Sequence, residues 1–404
     1  MTSKNNQYFI SILNLRILMN WELITAVVFY SIVAILIYIN RDKFQWMQKV
    51  FLVHKTQKGL KWMKKLSRFT IFWKIFSTLA IPTAVFCALW VGQMLWSNSM
   101  GIIAGTAGAG VYPAIPGVRI PGSPFYIPFW QGIIAIALLA VVHEFAHGIV
   151  ASMEGLKLKS TGFGFLAILP LAFVEIDEDN LRNAPRLSRL RVAASGAFAN
   201  IWMWVIFSLL IGFIFGGFVS SSFVNEGINI TATQEGLPAD IAGVPAGSII
   251  YGINNYSTPT MQDFQNIMNR HKAGEIVVLN TSEGIFEVET VSSPQDPDAP
   301  LLGVMVMQDV RVADHAYEKY GRFGFSVIMW MLDLFKWIAL LNLFVGIMNF
   351  LPIWALDGGM IFYDLTSYVF KSQKLHHFVV TAVFAFFLIL LLFNLLGPAI
   401  LSLF

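Results

Sequence analysis

"AVVHEFAHGIVAS", residues 140–152, decides how the chain is read. Two histidines and a glutamate interrupt a segment, Phe129–Met153, that is otherwise apolar enough for lipid. Ionisable groups at membrane depth are expensive and usually mark function. On a helix, His143 and His147 stand four residues apart, about 40° in azimuth, so both imidazoles face one way. Two neutral imidazoles so placed can share one zinc ion, with the adjacent Glu144 as general base. With seven His and 12 Glu in 404 residues, a chance HExxH is expected on the order of a few times in a thousand such chains. A histidine pair satisfied by neighbouring helices would leave Glu144 unexplained, and burying an unpaired carboxylate costs several kcal/mol.

The rest of the composition agrees with a membrane setting. The chain is 56% hydrophobic and 13% charged, with a mean hydropathy of +0.65, against roughly 25% charged residues in soluble domains. Apolar stretches long enough to span are Leu23–Ile39, Ile75–Trp96, Phe129–Met153, Val192–Phe218, Phe325–Phe350 and Phe378–Leu401. Phe9–Met19 is too short to cross and is expected at the interface. A net charge of +3 is too small to indicate nucleic acid. A single cysteine, Cys87, excludes an intrachain disulfide framework. No cleavable signal peptide is evident, because the first apolar run leads into a basic segment.

Basic residues set the expected orientation. Arg41–Lys74 holds ten of the 27 Lys and Arg against one acid, Asp42, and is expected to be a cytoplasmic loop. Alternation then places Ser97–Pro128 outside, Glu154–Arg191 inside, residues from about Ser220 to Phe323 outside and Leu356–His377 inside. The outer insert has the size of a small folded unit. Its strand-like apolar runs alternate with Gly and Pro turns, and Thr260 is a helix N-cap candidate ahead of Met261–Asn269. "EGLPADIAGVPAGSIIYGIN", residues 235–254, resembles a PDZ domain of the kind inserted in bacterial and archaeal membrane proteases, departing at Ser248 where Asp is usual. Such domains bind extended peptides along a sheet edge; the other reading is a unit that packs on the membrane part and limits access.

A catalytic zinc needs a third protein ligand and an open position. "NFLPIWALDGG", Asn349–Gly359, offers one: Pro352 ends the fifth span and Asp357 follows. A broken helix enclosed in protein can carry free backbone groups at membrane depth. Asp333 lies near the outer end of its span, beside Lys336, on the wrong side. His54, His271, His315, His376 and His377 lack ligand spacing with a second partner. The two motifs together resemble the site-2 protease family of intramembrane zinc metalloproteases, whose pattern is HExxH on one core helix and N-x-x-P-x-x-x-L-D-G on a later one. Both are complete here: His143-Glu144-Phe145-Ala146-His147, and Asn349, Pro352, Leu356, Asp357 and Gly358. Gly196-Ala197-Phe198-Ala199-Asn200 looks like the family's G-P-x-x-N element, with Ala197 in place of Pro. The resemblance runs from Phe129 to about His377; the first 128 residues match no named pattern.

The resemblance implies Zn2+ held by His143, His147 and Asp357, with Glu144 activating water. The oxyanion of the reaction needs a nearby donor as well; Asn349 and Asn200 are candidates for this substrate or oxyanion contact, the other reading being that they cap or bridge helix breaks. It implies a polytopic α-helical membrane protein of about six spans, with an inserted α/β PDZ-like extracytoplasmic domain. The expected organisation is an N-terminal membrane region, 1–128; the first half of the protease core, 129–218; the PDZ-like domain, 219–323; and the second half with the C-terminal span, 324–404. A helical substrate must unwind before hydrolysis, and lipid offers its backbone no partners. Ser160–Asp177, broken by Gly162, Gly164 and Pro170, is therefore read as a re-entrant β-hairpin supplying an edge strand. The expected function is regulated intramembrane proteolysis of single-pass membrane proteins, in a multi-pass cell-membrane enzyme whose site faces the cytoplasm. The alternatives are a metal-ion permease using the same histidines, against which stand Glu144 and the lack of a visible inverted repeat, and an inactive adaptor, against which stands the intact Glu144.

Overall fold

A computed structural model describes residues 2–47, 51–166, 169–293, 296 and 298–401, with backbone alone for residues 2–20 and 47. In chain order it contains α1 (Thr2–Ile39), a 3-10 turn (Arg41–Lys43), β1 (Phe44–Met47), β2 (Phe51–Thr56), α2 (Leu60–Leu66), α3 (Thr70–Ile103), α4 (Phe129–Met153), β3 (Leu158–Leu166), β4 (Leu169–Ile176), α5 (Glu178–Asn183) and α6 (Arg186–Leu210). A π segment (Ile211–Phe215) leads to α7 (Gly216–Ser222) and β5 (Phe223–Thr233). Then come α8 (Pro238–Ile241), β6 (Ile249–Ile253), β7 (Tyr256–Ser257), α9 (Met261–Met268), β8 (Ile276–Thr281), β9 (Gly284–Glu289), β10 (Val291–Ser292), β11 (Pro300–Leu301) and β12 (Val304–Val312). The chain ends with α10 (Asp314–Met348), α11 (Asp357–Thr366) and α12 (Gln373–Leu401). Two compact units result: Met1–Ile211 with Met331–Phe404, and Gly212–Trp330.

Among the described residues six helical stretches are long and apolar enough to cross a membrane: Trp21–Ile39, Thr70–Ile103, Phe129–Met153, Arg186–Ser222, Asp314–Met348 and Gln373–Leu401. This is a polytopic helical membrane protein. Several stretches outrun the apolar runs that signalled them. α6 starts six residues before Val192 because its arginines find partners: Arg189 pairs with Asp364 (2.5 Å) and Arg191 with Glu154 (3.0 Å). Phe9–Met19 is not a separate interfacial piece; the backbone of α1 runs through it.

The basic segment Arg41–Lys74 is not a loop. Its strands β1 and β2 join the hairpin of β3 and β4 in one antiparallel sheet of order β1-β2-β3-β4. β2 pairs β3 from Phe51↔Leu166 to Thr56↔Thr161, and β3 pairs β4 from Leu158↔Ile176 to Leu166↔Leu169. β4 is left as one edge of the sheet. β2, "FLVHKT", pairs at long sequence separation with β3, and β1, "FQWM", pairs with β2 as a local hairpin.

The second unit, expected from the sequence at 219–323, carries a sheet of order β12-β5-β6-β8-β9. Ile228, Ile230, Ile250, Ile253, Val277, Leu279 and Val288 are fully buried there, beneath Phe264 and Ile267 of α9. The Thr260 hydroxyl caps α9 by accepting the Asp263 N–H (3.1 Å). Ser248 is buried and donates to the Pro245 carbonyl (2.5 Å).

Candidate metal centre

α4 and α6 pack with their polar positions facing each other. His143 and His147, on one stripe of α4, meet a stripe of α6 on which Arg189, Gly196 and Asn200 recur at seven- and four-residue spacing. Gly196 is required here: a Cβ at that position would overlap His147 at Nε2. With Ala197 in place of proline, α6 runs unbroken through residues 196–200.

The third candidate ligand, Asp357, comes from a tight loop. After α10 ends at Met348, the Gly358 N–H returns to the Asn349 carbonyl (2.8 Å) and the Gly359 N–H to the Leu356 carbonyl (3.0 Å). A Cβ at Gly358 would overlap the Phe350 carbonyl, so the loop closes only with glycine there. Asp357 is thereby the first residue of α11, where the helix dipole favours a carboxylate. Two turns further on, Asp364 receives Nε and Nη2 of Arg189 in a forked pair that fixes α11 on α6.

Three ligand atoms converge. His147 Nε2 is 3.1 Å from His143 Nε2, and Asp357 Oδ2 lies 3.2 Å and 3.4 Å from these two nitrogens. Among the described residues this is the only group of three or more His, Cys, Asp or Glu able to hold a metal ion. Asp357 Oδ2 is buried and accepts no hydrogen bond. A tetrahedral zinc about 2.0–2.1 Å from each ligand needs those atoms about 3.3 Å apart. The spacing, the donor set and the orphaned oxygen all fit such an ion.

The partners of the far ring nitrogens agree with that assignment. His147 Nδ1 lies 2.7 Å from the Val192 carbonyl, which can only accept; Nδ1 therefore carries the proton and Nε2 the lone pair. His143 Nδ1 lies 3.2 Å from the fully buried Asn200 amide, whose Oδ1 has no partner. Half a turn of that amide gives Nδ1–H···Oδ1, satisfies both atoms and leaves His143 Nε2 free as a ligand. Glu144 Oε2 accepts the Val174 N–H of β4 (2.9 Å).

The structure thus brings His143, His147, Asp357 and Asn200 together and sets Glu144 beside the edge strand. The Asn349 carbonyl accepts the Gly358 N–H that closes the Asp357 loop, and its half-buried side chain makes no hydrogen bond among the described residues. Val192, Glu154, Arg189 and Asp364 were not singled out from sequence. The seven-residue spacings of Asp357 to Asp364 and of Arg189 to Gly196 were the available signal. His376 is a structural histidine, bonded to Thr366 Oγ1 (3.0 Å) and the Tyr363 carbonyl (3.2 Å).

Comparison with known proteins adds independent findings. A family model, Peptidase family M50, matches residues 131–392. An uncharacterized protein of Methanocaldococcus jannaschii is 29% identical over 313 residues, covering 76% of each chain. A presumed zinc metalloprotease of Clostridium acetobutylicum is 24% identical over 304 residues, 62% of this chain and 86% of its own. Among solved structures, the PDZ domain of an SdrC-like protein from Listeria monocytogenes covers 20% of this chain and 88% of its own, at 18% identity and a TM-score of 0.19. Its counterpart from Listeria innocua covers 20% and 96%, at 19% identity and a TM-score of 0.19.

Proposed function

The chain belongs to peptidase family M50, the site-2 protease family of membrane zinc metalloproteases, and from that premise we propose that it is an intramembrane endopeptidase cutting the transmembrane segments of single-pass membrane proteins. The observation that carries the reading is the convergence of His143 Nε2, His147 Nε2 and the donor-less Asp357 Oδ2. Zinc bound there supplies Lewis-acid chemistry, acidifying water and polarising a carbonyl. The chain's own groups do the rest. Glu144 takes the proton from the attacking water and returns it to the leaving amine. The Val174 N–H holds the Glu144 carboxylate in place. Asn200 and the Val192 carbonyl keep both imidazoles turned toward the ligand position; on this reading Asn200 is a positioning residue, not an oxyanion donor.

The edge strand β4 is where an unwound substrate would lie. Residues 172 and 174 direct their main-chain groups to the side away from β3, and the Val174 N–H on that side meets Glu144. A peptide paired along this edge has its carbonyls presented beside the general base, and the hairpin re-enters the bilayer to meet it. The Lys and Arg of Arg41–Lys74 and Glu154–Arg191 support a cytoplasmic site, and alternation of the spans supports an outer position for the inserted sequence, read as PDZ-like, which would there screen bulky ectodomains. The test is Glu144→Gln in purified full-length protein. Zinc content stays at the wild-type level while cleavage of a model transmembrane substrate falls about 10³-fold or more. Undiminished cleavage, or ion flux through reconstituted protein without cleavage, would overturn the reading in favour of a permease.

A further inference from the structure

Several cations around the hairpin and α6 are paired: Lys55 with Glu175 (2.8 Å), Lys159 with Asp177 (3.3 Å), Arg189 with Asp364 and Arg191 with Glu154. Those on and beside α2 are not. Lys58, Lys61, Lys64, Arg68 and Lys74 are all exposed, and none makes an ion pair among the described residues; Lys65 lies over the Trp62 ring (5.4 Å). No acidic residue occurs between Asp42 and Glu144 to neutralise them. Large apolar side chains stand exposed among the charges: Trp62 (62%), Phe69 (64%), Ile71 (78%) and Phe72 (58%). A surface that interleaves uncompensated cations with aromatic and aliphatic groups suits neither water nor hydrocarbon. It suits the boundary between them, where anionic headgroups meet acyl chains. Connectivity puts it at that depth, because the candidate span α3 begins at Thr70, four residues after α2 ends.

The opposite face of α2 is tied to the metal-bearing helix. Leu60 and Met63 are buried against Ile149 and Val150 of α4. Gly148, next to His147, has no room for a Cβ, which would lie 2.5 Å from Met63 Sδ. A Cβ at Gly59 would stand 3.4 Å from the ring of Phe145, the residue after Glu144. Ser67 and Ser152 share a hydrogen bond (3.1 Å), and the Lys58 carbonyl accepts the Thr161 hydroxyl of β3 (2.5 Å).

We propose that Lys58–Lys74 is a binding site for anionic phospholipid headgroups, held by α2 directly against the HExxH turn, so that headgroup occupancy stiffens the metal-bearing helix and the hairpin beside it. The proposal does not depend on the hydrolytic reading, and its test measures lipid and exchange rather than cleavage. Full-length protein in neutral detergent is titrated with phosphatidylglycerol or phosphatidylcholine and followed by native mass spectrometry. Wild type binds phosphatidylglycerol at least tenfold more tightly, and the preference shrinks as salt rises. The fourfold variant Lys61→Gln, Lys64→Gln, Lys65→Gln, Arg68→Gln loses that preference with its zinc content unchanged. A control of equal charge change, Arg270→Gln, Lys272→Gln, Lys371→Gln, Lys374→Gln, keeps it, as does replacing the three lysines by arginine. Amide exchange across residues 157–166 slows on adding phosphatidylglycerol to wild type but not to the fourfold variant. Equal uptake of the two lipids, equal uptake by wild type and variant, or displacement of phosphatidylglycerol by polyglutamate at lower concentration would overturn the lipid assignment. Unchanged exchange would overturn the coupling.

Discussion

Two buried polar clusters in the same helical body make opposite use of their lone pairs. At one, Asn394 of α12 is completely satisfied: its two amide hydrogens lie among three acceptors, the Leu95 and Leu390 carbonyls (both 2.9 Å) and Ser99 Oγ (2.8 Å), and its Oδ1 accepts from Asn98 (3.0 Å). The Asn394 main-chain carbonyl also accepts the Gly110 N–H (3.0 Å), which ties the segment between α3 and α4 to α12. At the other, two imidazole nitrogens and a carboxylate oxygen are pushed within 3.4 Å of one another, and the oxygen has no donor. Lipid offers neither cluster a partner, so the first is finished as it stands and the second is finished only by a cation. Saturated polarity holds helices together; unsaturated polarity of one sign is a receptor.

The largest effect expected from that contrast is at Asp357. Asp357→Asn keeps the volume but removes the anionic ligand, so zinc affinity should fall by more than about 10²-fold, beyond the usual range for outer partners; full zinc occupancy in this variant, by elemental analysis, would break the contrast. Next is Asn200→Leu, which strips the partner from His143 Nδ1 and should weaken zinc about 10–100-fold. Asn200→Asp, still an acceptor, should recover most of that loss. If both variants bind zinc like wild type but turn over slowly, Asn200 serves substrate instead. Asn394→Leu should show the reverse pattern: zinc unchanged, and thermal stability lower by about 1–3 kcal/mol, because the Asn98 amide keeps only the Gly108 carbonyl as acceptor and the Ser99 hydroxyl loses the donor that Asn394 supplies.

The smallest expected effect concerns the outer tie of the sheet. Lys55 and Ser160, hydrogen-bonded to Glu175, hold its carboxyl below the ordinary range. A folded-state pKa below the unfolded one adds stability that is whole above the unfolded value, about 4.3, and drains away as pH falls through the folded value. The pair is well exposed, so about 0.5 kcal/mol or less is involved. Melting midpoints of wild type and Lys55→Gln, compared from about pH 6 down to about pH 3, should converge at the acid end. A gap that widens instead would mean that Lys55 acts through something other than Glu175.

The sequence was most legible where one local pattern sufficed. The apolar run Phe129–Met153 and the helix have the same ends, and the glycine-broken stretch after it became two paired strands. The three candidate ligands could be named because HExxH and the Asp357 loop each carry their spacing within a dozen residues. What stayed hidden depends on partners far along the chain. Nothing local to Arg189 or Arg191 says that the helix begins before the apolar run; Asp364 and Glu154 supply that reason. Nothing local to Phe51–Thr56 says strand; β3, more than 100 residues away, does. The Asn349 carbonyl closes the loop, a main-chain role that no side-chain pattern announces.

The pairing of β2 onto β3 has a further consequence for how the polypeptide tolerates trimming. A chain beginning at α3 would discard what looks like an anchor and a tether, but it would also bare the second edge of the β3–β4 hairpin. Two strands alone are marginal, and an open rim of unpaired amides is an adhesive seam. Such a protein would tend to zip onto its own copies there, so the amino-terminal segment doubles as a shield against self-association.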